Sequence, residues 1–123
     1  AYFHAALDAG LLPRPFKEKI AFKVARLRET PYCTGSHRGY ALKQGVPVAE
    51  LEAIDRSDYA GLPAKERASL LFTEAMVAGR MTDASFAALR EHFNEAEAVE
   101  IVALIGIMEL ACSFAQVFDL AAD

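Results

Sequence analysis

Residues 13–37, PRPFKEKIAFKVARLRETPYCTGSH, hold two helix starts and the full spacing of one helix between them. Pro13 and Pro15 stand where a helix can begin, because its first backbone N–H groups have no intrahelical partner to lose. Phe16, Ile20, Val24 and Leu27 follow at intervals of four, four and three, which is one face of an α-helix. Pro31 repeats the device, with Thr30 positioned to cap the next helix, and that helix is expected to run towards Gln44 and stop at Gly45.

The same punctuation continues outward. Pro47 predicts a short helix through Ile54, a polar loop reaches Gly61, and Pro63 opens a helix through about Ala78 that Gly79 stops. Thr82 is expected to cap a helix ending near Phe93. Asn94 with Glu97 forms a capping-box pattern for a last long helix reaching Leu120. No alternating β-branched stretch bounded by turns interrupts the series, so the fold class is all-α, a helical bundle in one domain over residues 1–123 built on one core. The chain opens at Ala1, and Ala1-Tyr2-Phe3-His4 read like the middle of a helix, so a longer natural N-terminus is expected.

Composition narrows the function. Apolar residues make up 54% of the chain and acidic residues outnumber basic ones by 17 to 13, which suits a globular domain and gives no clustered basic face for nucleic acid. Two cysteines, Cys33 and Cys112, are too few for a secreted disulfide framework and point to a reducing, cytoplasmic setting. In the last helix Val99, Ile101, Val102, Leu104, Ile105, Ile107, Met108 and Leu110 cover every side. Such a helix is buried all round, or crosses a membrane. Glu100 and Glu109 interrupt the run and argue against a membrane, so burial against a second subunit is expected, giving a homo-oligomer.

Cys33 falls in the first turn of the helix that starts at Pro31, where free N–H groups and the helix dipole favour a thiolate, so its pKa is expected to be lowered. His37, four residues on, shares its helix face and gives a nucleophile with a base in reach. The plainer reading is a packed cysteine beside a chance histidine. Glu18 sits at the centre of a second apolar stripe of the preceding helix, with Ala21, Phe22 and Ala25. A carboxylate facing packing is either a proton-transfer group or half of a buried salt bridge. Tyr32 either lines a pocket or packs, and Gly35 is expected to let its helix approach a neighbour closely. His4 and His92 are isolated, and Cys33 and His37 have no second close pair, so no metal site is expected.

Glu18, twelve intervening residues, Thr30-Pro31-Tyr32-Cys33-Thr34-Gly35-Ser36-His37, then Ala41 and Gly45, resemble the carboxymuconolactone decarboxylase and alkylhydroperoxidase D (AhpD-like) superfamily. The peroxidase branch of that superfamily pairs a glutamate with a C-x-x-C-x-x-x-H motif, and Glu18, Cys33 and His37 match the glutamate, the second cysteine and the histidine. The resemblance covers Pro13 to about Ile54 well and the later helices more loosely. It implies an AhpD-like helical bundle, a trimer or hexamer, no cofactor, and a peroxidase-like antioxidant activity with Cys33 as nucleophile and His37 and Glu18 as a proton relay. Thr30 stands at the first-cysteine position, so the usual disulfide within the motif cannot form. An external thiol or Cys112 must then resolve an oxidised Cys33, although the apolar neighbours of Cys112 suit packing. Two other readings remain. One is a lyase acting on a small lactone or carboxylic acid with His37 as acid and base, aided by Arg14, Arg26 and Arg38. The other is a non-catalytic oligomeric binding module.

Overall fold

The computed structural model describes residues 7–120, and the helical reading of Ala1–His4 lies outside them. From residue 14 on, six helices follow in order among the described residues: α1 Arg14–Leu27, α2 Pro31–Lys43, α3 Val48–Asp55, α4 Ala64–Val77, α5 Asp83–Arg90 and α6 Glu95–Val117. No strand occurs among the described residues. Asn94 and Glu97 make the expected capping box at the start of α6, and the Thr82 hydroxyl accepts from Ser85 N at 3.1 Å to cap α5.

The helix enclosed on all sides is α1. It packs against α2, α3, α4 and α6, and every residue from Lys17 to Ala25 is buried. Two apolar clusters flank it where one core is expected from sequence. Ile20, Ala21, Val24 and Ala25 join α6, with Leu104, Ile105 and Met108, while Phe22 faces Leu51, Ile54, Tyr59 and Leu70. The lysines between the stripes are buried too, because their stems are apolar and each ammonium reaches a partner. Lys19 Nζ lies 2.6 Å from Glu66 and 2.9 Å from Glu50, and Lys23 Nζ donates to the Ile54 carbonyl at 2.9 Å and to Ser57 Oγ at 2.8 Å. Lys17 pairs with Glu100 and with the Ala9 carbonyl. Glu100 also accepts from Leu11 N at 2.8 Å and Leu12 N at 3.2 Å, which anchors the segment entering α1.

On α6 the inner face is core, with Ile101, Leu104, Ile105, Met108 and Cys112 all buried. The outer face is open in the single chain: Val99, Leu110, Phe114 and Val117 are 54–76% exposed. By length and hydropathy alone α6 would also pass for a membrane span, but the two charged residues inside its apolar run are engaged on the protein, Glu100 as above and Glu109 with Arg28. Gly35 differs from expectation. A Cβ there would meet nothing within 4 Å, so no close helix approach within the chain requires it.

Candidate active site

A three-residue reversal delivers α2 to the side of α1. Glu29 adopts φ 50°, its N–H donates to Arg26 O at 3.1 Å, and Thr30 N donates to Ala25 O at 3.0 Å, closing the end of α1. Thr30 is the N-cap residue of α2, yet its side chain does not cap the helix. Its hydroxyl instead donates to the Arg28 carbonyl at 3.2 Å and accepts from Gln116 Nε2 of α6 at 3.0 Å. A tertiary contact with α6 has taken the hydroxyl from the local one.

Cys33 and His37 lie one turn apart, 5% and 7% exposed, and each meets a different partner. His37 Nδ1 is 2.7 Å from Glu18 Oε1. Glu18 is fully buried, and its other oxygen accepts from Arg14 Nε at 3.2 Å. An ionised carboxylate only accepts, so Nδ1 carries the proton and Nε2 is the nitrogen that can exchange one. The imidazole is further held by Tyr40, whose ring meets it edge-on at 5.4 Å, and the Arg14 guanidinium lies 5.8 Å over that tyrosine ring. Glu18 is thus a paired buried carboxylate that fixes the orientation of the His37 ring. Of the other arginines, Arg26 is paired with Asp55 and Arg38 is exposed.

The partner of Cys33 is Cys112. The two sulfurs hydrogen-bond across α2 and α6, and the Thr30 hydroxyl bonds Cys112 as well. The Cys33 hydrogen bond draws the Cys112 pKa down from 9.0 to about 7, with burial opposing and the Thr30 hydroxyl and the Arg28 charge assisting. The Cys33 thiol is pushed up, first by that same hydrogen bond and then by burial. This corrects the expected lowering at Cys33. Ionising both thiols breaks the bond and sets two thiolates side by side in an apolar site. The pair therefore takes one negative charge readily, with the Cys112 side favoured, and a second only with difficulty. Titrating thiolate absorbance should give one thiolate appearing with a midpoint of about 7 and a second only at strongly alkaline pH. Because the Cys112 anion is favoured by a donor, Cys33→Ala should move the first midpoint upward.

Tyr32, 38% exposed, lines a surface groove with Ser36, Gly39 and Tyr40 beside α2. A profile of the carboxymuconolactone decarboxylase family matches residues 1–75, which include Glu18, Cys33 and His37. The chain belongs to the carboxymuconolactone decarboxylase family. Solved structures share the fold of this family member over almost its whole length. A protein of unknown function from Agrobacterium tumefaciens, described as a putative antioxidant defence protein AhpD, superposes with a TM-score of 0.88 at 21% identity, covering 98% of this chain and 84% of the other. An uncharacterized peroxidase-related protein from Silicibacter sp. TM1040 gives 0.87 at 21% identity, covering 99% of this chain and 69% of the other. The alkylhydroperoxidase AhpD core of a peroxidase-related protein from Ralstonia eutropha JMP134 gives 0.84 at 23% identity, covering 99% and 67%. No curated protein matches. At these identities the likeness carries the all-helical fold.

Sequence reasoning undervalued Cys112 and did not connect Arg14 or Tyr40 to the His37 ring. Arg14 stands four residues before Glu18, a spacing that could have flagged the pair. Cys112 sits 79 positions from Cys33, and no local spacing reports such a contact.

Proposed function

We propose that this carboxymuconolactone decarboxylase family member is a thiol-dependent peroxidase in which Cys33 attacks the peroxide and His37, held by Glu18, manages the proton. The observation that carries this reading is a buried pair of thiols one helical turn from an imidazole fixed by a buried carboxylate at 2.7 Å. As Cys33 sulfur bonds to a peroxide oxygen, the O–O bond breaks. The Cys33 proton passes to the Cys112 sulfur, and the departing hydroxide takes a proton that His37 Nε2 has bound from solvent, while Nδ1 keeps its own on Glu18, and leaves as water. Cys33 is left as a sulfenic acid. The 5% exposure of Cys33 favours hydrogen peroxide over bulky alkyl hydroperoxides.

The supporting chemistry needs thiols kept reduced, which fits a cytoplasmic setting. A lyase acting on a carboxylate would call on arginines near His37, but Arg14 and Arg26 are already paired with carboxylates of the chain. The exposed apolar stripe Val99, Leu110, Phe114 and Val117 on α6 supports a homo-oligomer, trimer or hexamer, formed through that face. Light scattering at micromolar concentration should give a multiple of 13.4 kDa, and a monomeric mass would remove this part of the reading. The activity is tested by following hydrogen peroxide consumption with dithiothreitol as reductant. Consumption no faster than in the absence of protein would overturn it.

A further inference from the structure

Cys112 has a role to account for beyond packing. It is fully buried in the same apolar cluster as Cys33, a side-chain hydrogen bond links the two cysteines, and the hydroxyl of Thr30 bonds it as well. Packing alone asks nothing of the atom type there, and an alanine or valine would satisfy the cluster. A hydrogen bond already joins the two side chains across α2 and α6, and a disulfide between them would close that contact to an S–S length of about 2.05 Å. The hydroxyl of Thr30 has one hydrogen and two acceptors, the Arg28 carbonyl and the Cys112 sulfur. It can therefore point to the carbonyl when Cys112 is a thiol or a disulfide and to the sulfur when Cys112 is a thiolate. Gln116 Nε2 donates to both Thr30 Oγ1 and the Arg28 carbonyl, at 3.0 and 2.9 Å, and holds this corner of α6 against the start of α2.

We propose that Cys33 and Cys112 form a reversible disulfide between α2 and α6, with Cys112 resolving the sulfenic acid made on Cys33. The inference deepens the peroxidase reading and rests on it for the oxidant. After Cys33 is oxidised, Cys112 holds the proton it received. Its sulfur attacks the Cys33 sulfur, the S–O bond breaks, and hydroxide leaves with the Cys112 proton as water. The pair has then lost two electrons and two protons relative to the dithiol. An external dithiol restores it by two thiol–disulfide exchanges and is itself oxidised to a disulfide. Per cycle one hydrogen peroxide and one dithiol give two waters and one disulfide. Thr30 takes no part in electron transfer; it is a positioning residue for the Cys112 sulfur.

Two experiments separate this inference from the activity. The full chain is first equilibrated across oxidised-to-reduced dithiothreitol ratios, quenched with N-ethylmaleimide and weighed intact. The expected result is joint protection of both cysteines, a loss of about 2 Da per chain, and a peptide linking Cys33 to Cys112 within one subunit. Alkylation of both cysteines across the whole range, or cross-linking only between subunits, overturns the disulfide. This arm needs no variant. The second arm gives wild type and Cys112→Ala one equivalent of hydrogen peroxide in the presence of dimedone. Sulfenic acid on Cys33 should accumulate at least about tenfold more in Cys112→Ala, since only an internal thiol outruns the trap. Equal accumulation in the two proteins overturns the resolving role. If dithiothreitol forms the disulfide while peroxide oxidises neither protein, the disulfide stands and the peroxidase reading falls.

Discussion

Cys33→Ser should abolish peroxide consumption, lowering the rate by at least about 100-fold, because a serine hydroxyl is too weak an acid to pass its proton to the Cys112 sulfur and too hard a nucleophile to attack an O–O bond. The substitution is nearly isosteric, so the buried site keeps its shape. Serine can still donate a hydrogen bond to Cys112, and the Cys112 thiolate survives in part. That makes the variant informative about which sulfur reacts. Cys112 is fully buried and Cys33 is 5% exposed, so peroxide should meet Cys33 first. A Cys33→Ser protein that consumes peroxide as fast as wild type would make Cys112 the nucleophile or dismiss thiol chemistry altogether. Addition of Cys112→Ala to it separates those two outcomes. The same variant tests the acid–base lyase alternative, in which turnover of a carboxylic substrate survives loss of Cys33 and falls with loss of His37.

The helices were legible because their boundaries are local. Prolines at 13, 15, 31, 47 and 63 and the Asn94–Glu97 box mark starts that need only neighbouring residues, and helix ends fell within a residue or two through α4. The last two helices end about three residues earlier than expected, α5 at Arg90 and α6 at Val117. What periodicity did not reveal was which helix is enclosed. The apolar surface of α6 looks more buried than the lysine-bearing surface of α1, but Lys17, Lys19 and Lys23 each find acceptors on other elements, and those acceptors are set by the tertiary fold. The site divides in the same way. Glu18, Cys33 and His37 could be singled out from type and spacing, and the structure joins Glu18 to His37. The helix end that carries Cys33 predicts a lowered pKa, and the structure reverses that direction. The deciding neighbour comes from α6, and it competes with the helix dipole at closer range.

Glu18→Ala should destabilise the protein by about 3 kcal/mol, because it deletes the acceptor at the centre of a buried polar group. In the native site one carboxylate oxygen takes His37 Nδ1 at 2.7 Å and the other takes Arg14 Nε at 3.2 Å, with no part of Glu18 exposed. Alanine leaves both donors facing a cavity. Loss of one partner of such a group ordinarily costs about 3–5 kcal/mol, and two features hold this case to the lower end. Arg14 retains its pairing with Asp8 at a partly exposed position, and the imidazole can exchange donor and acceptor roles between its two ring nitrogens. Against a total stability of about 5–15 kcal/mol for a domain of this size, the loss is large, and urea unfolding should record it as a fall in midpoint with little change in slope. Glu18→Gln keeps the volume and one acceptor oxygen, so it should recover most of the stability. It cannot accept from His37 and Arg14 together without turning its amide group towards one of the two donors, so the imidazole loses its fixed proton on Nδ1. Peroxide turnover in a folded Glu18→Gln protein should therefore fall by about 10- to 100-fold. Full turnover in that variant would leave Glu18 as a packing salt bridge and take it out of the proton path.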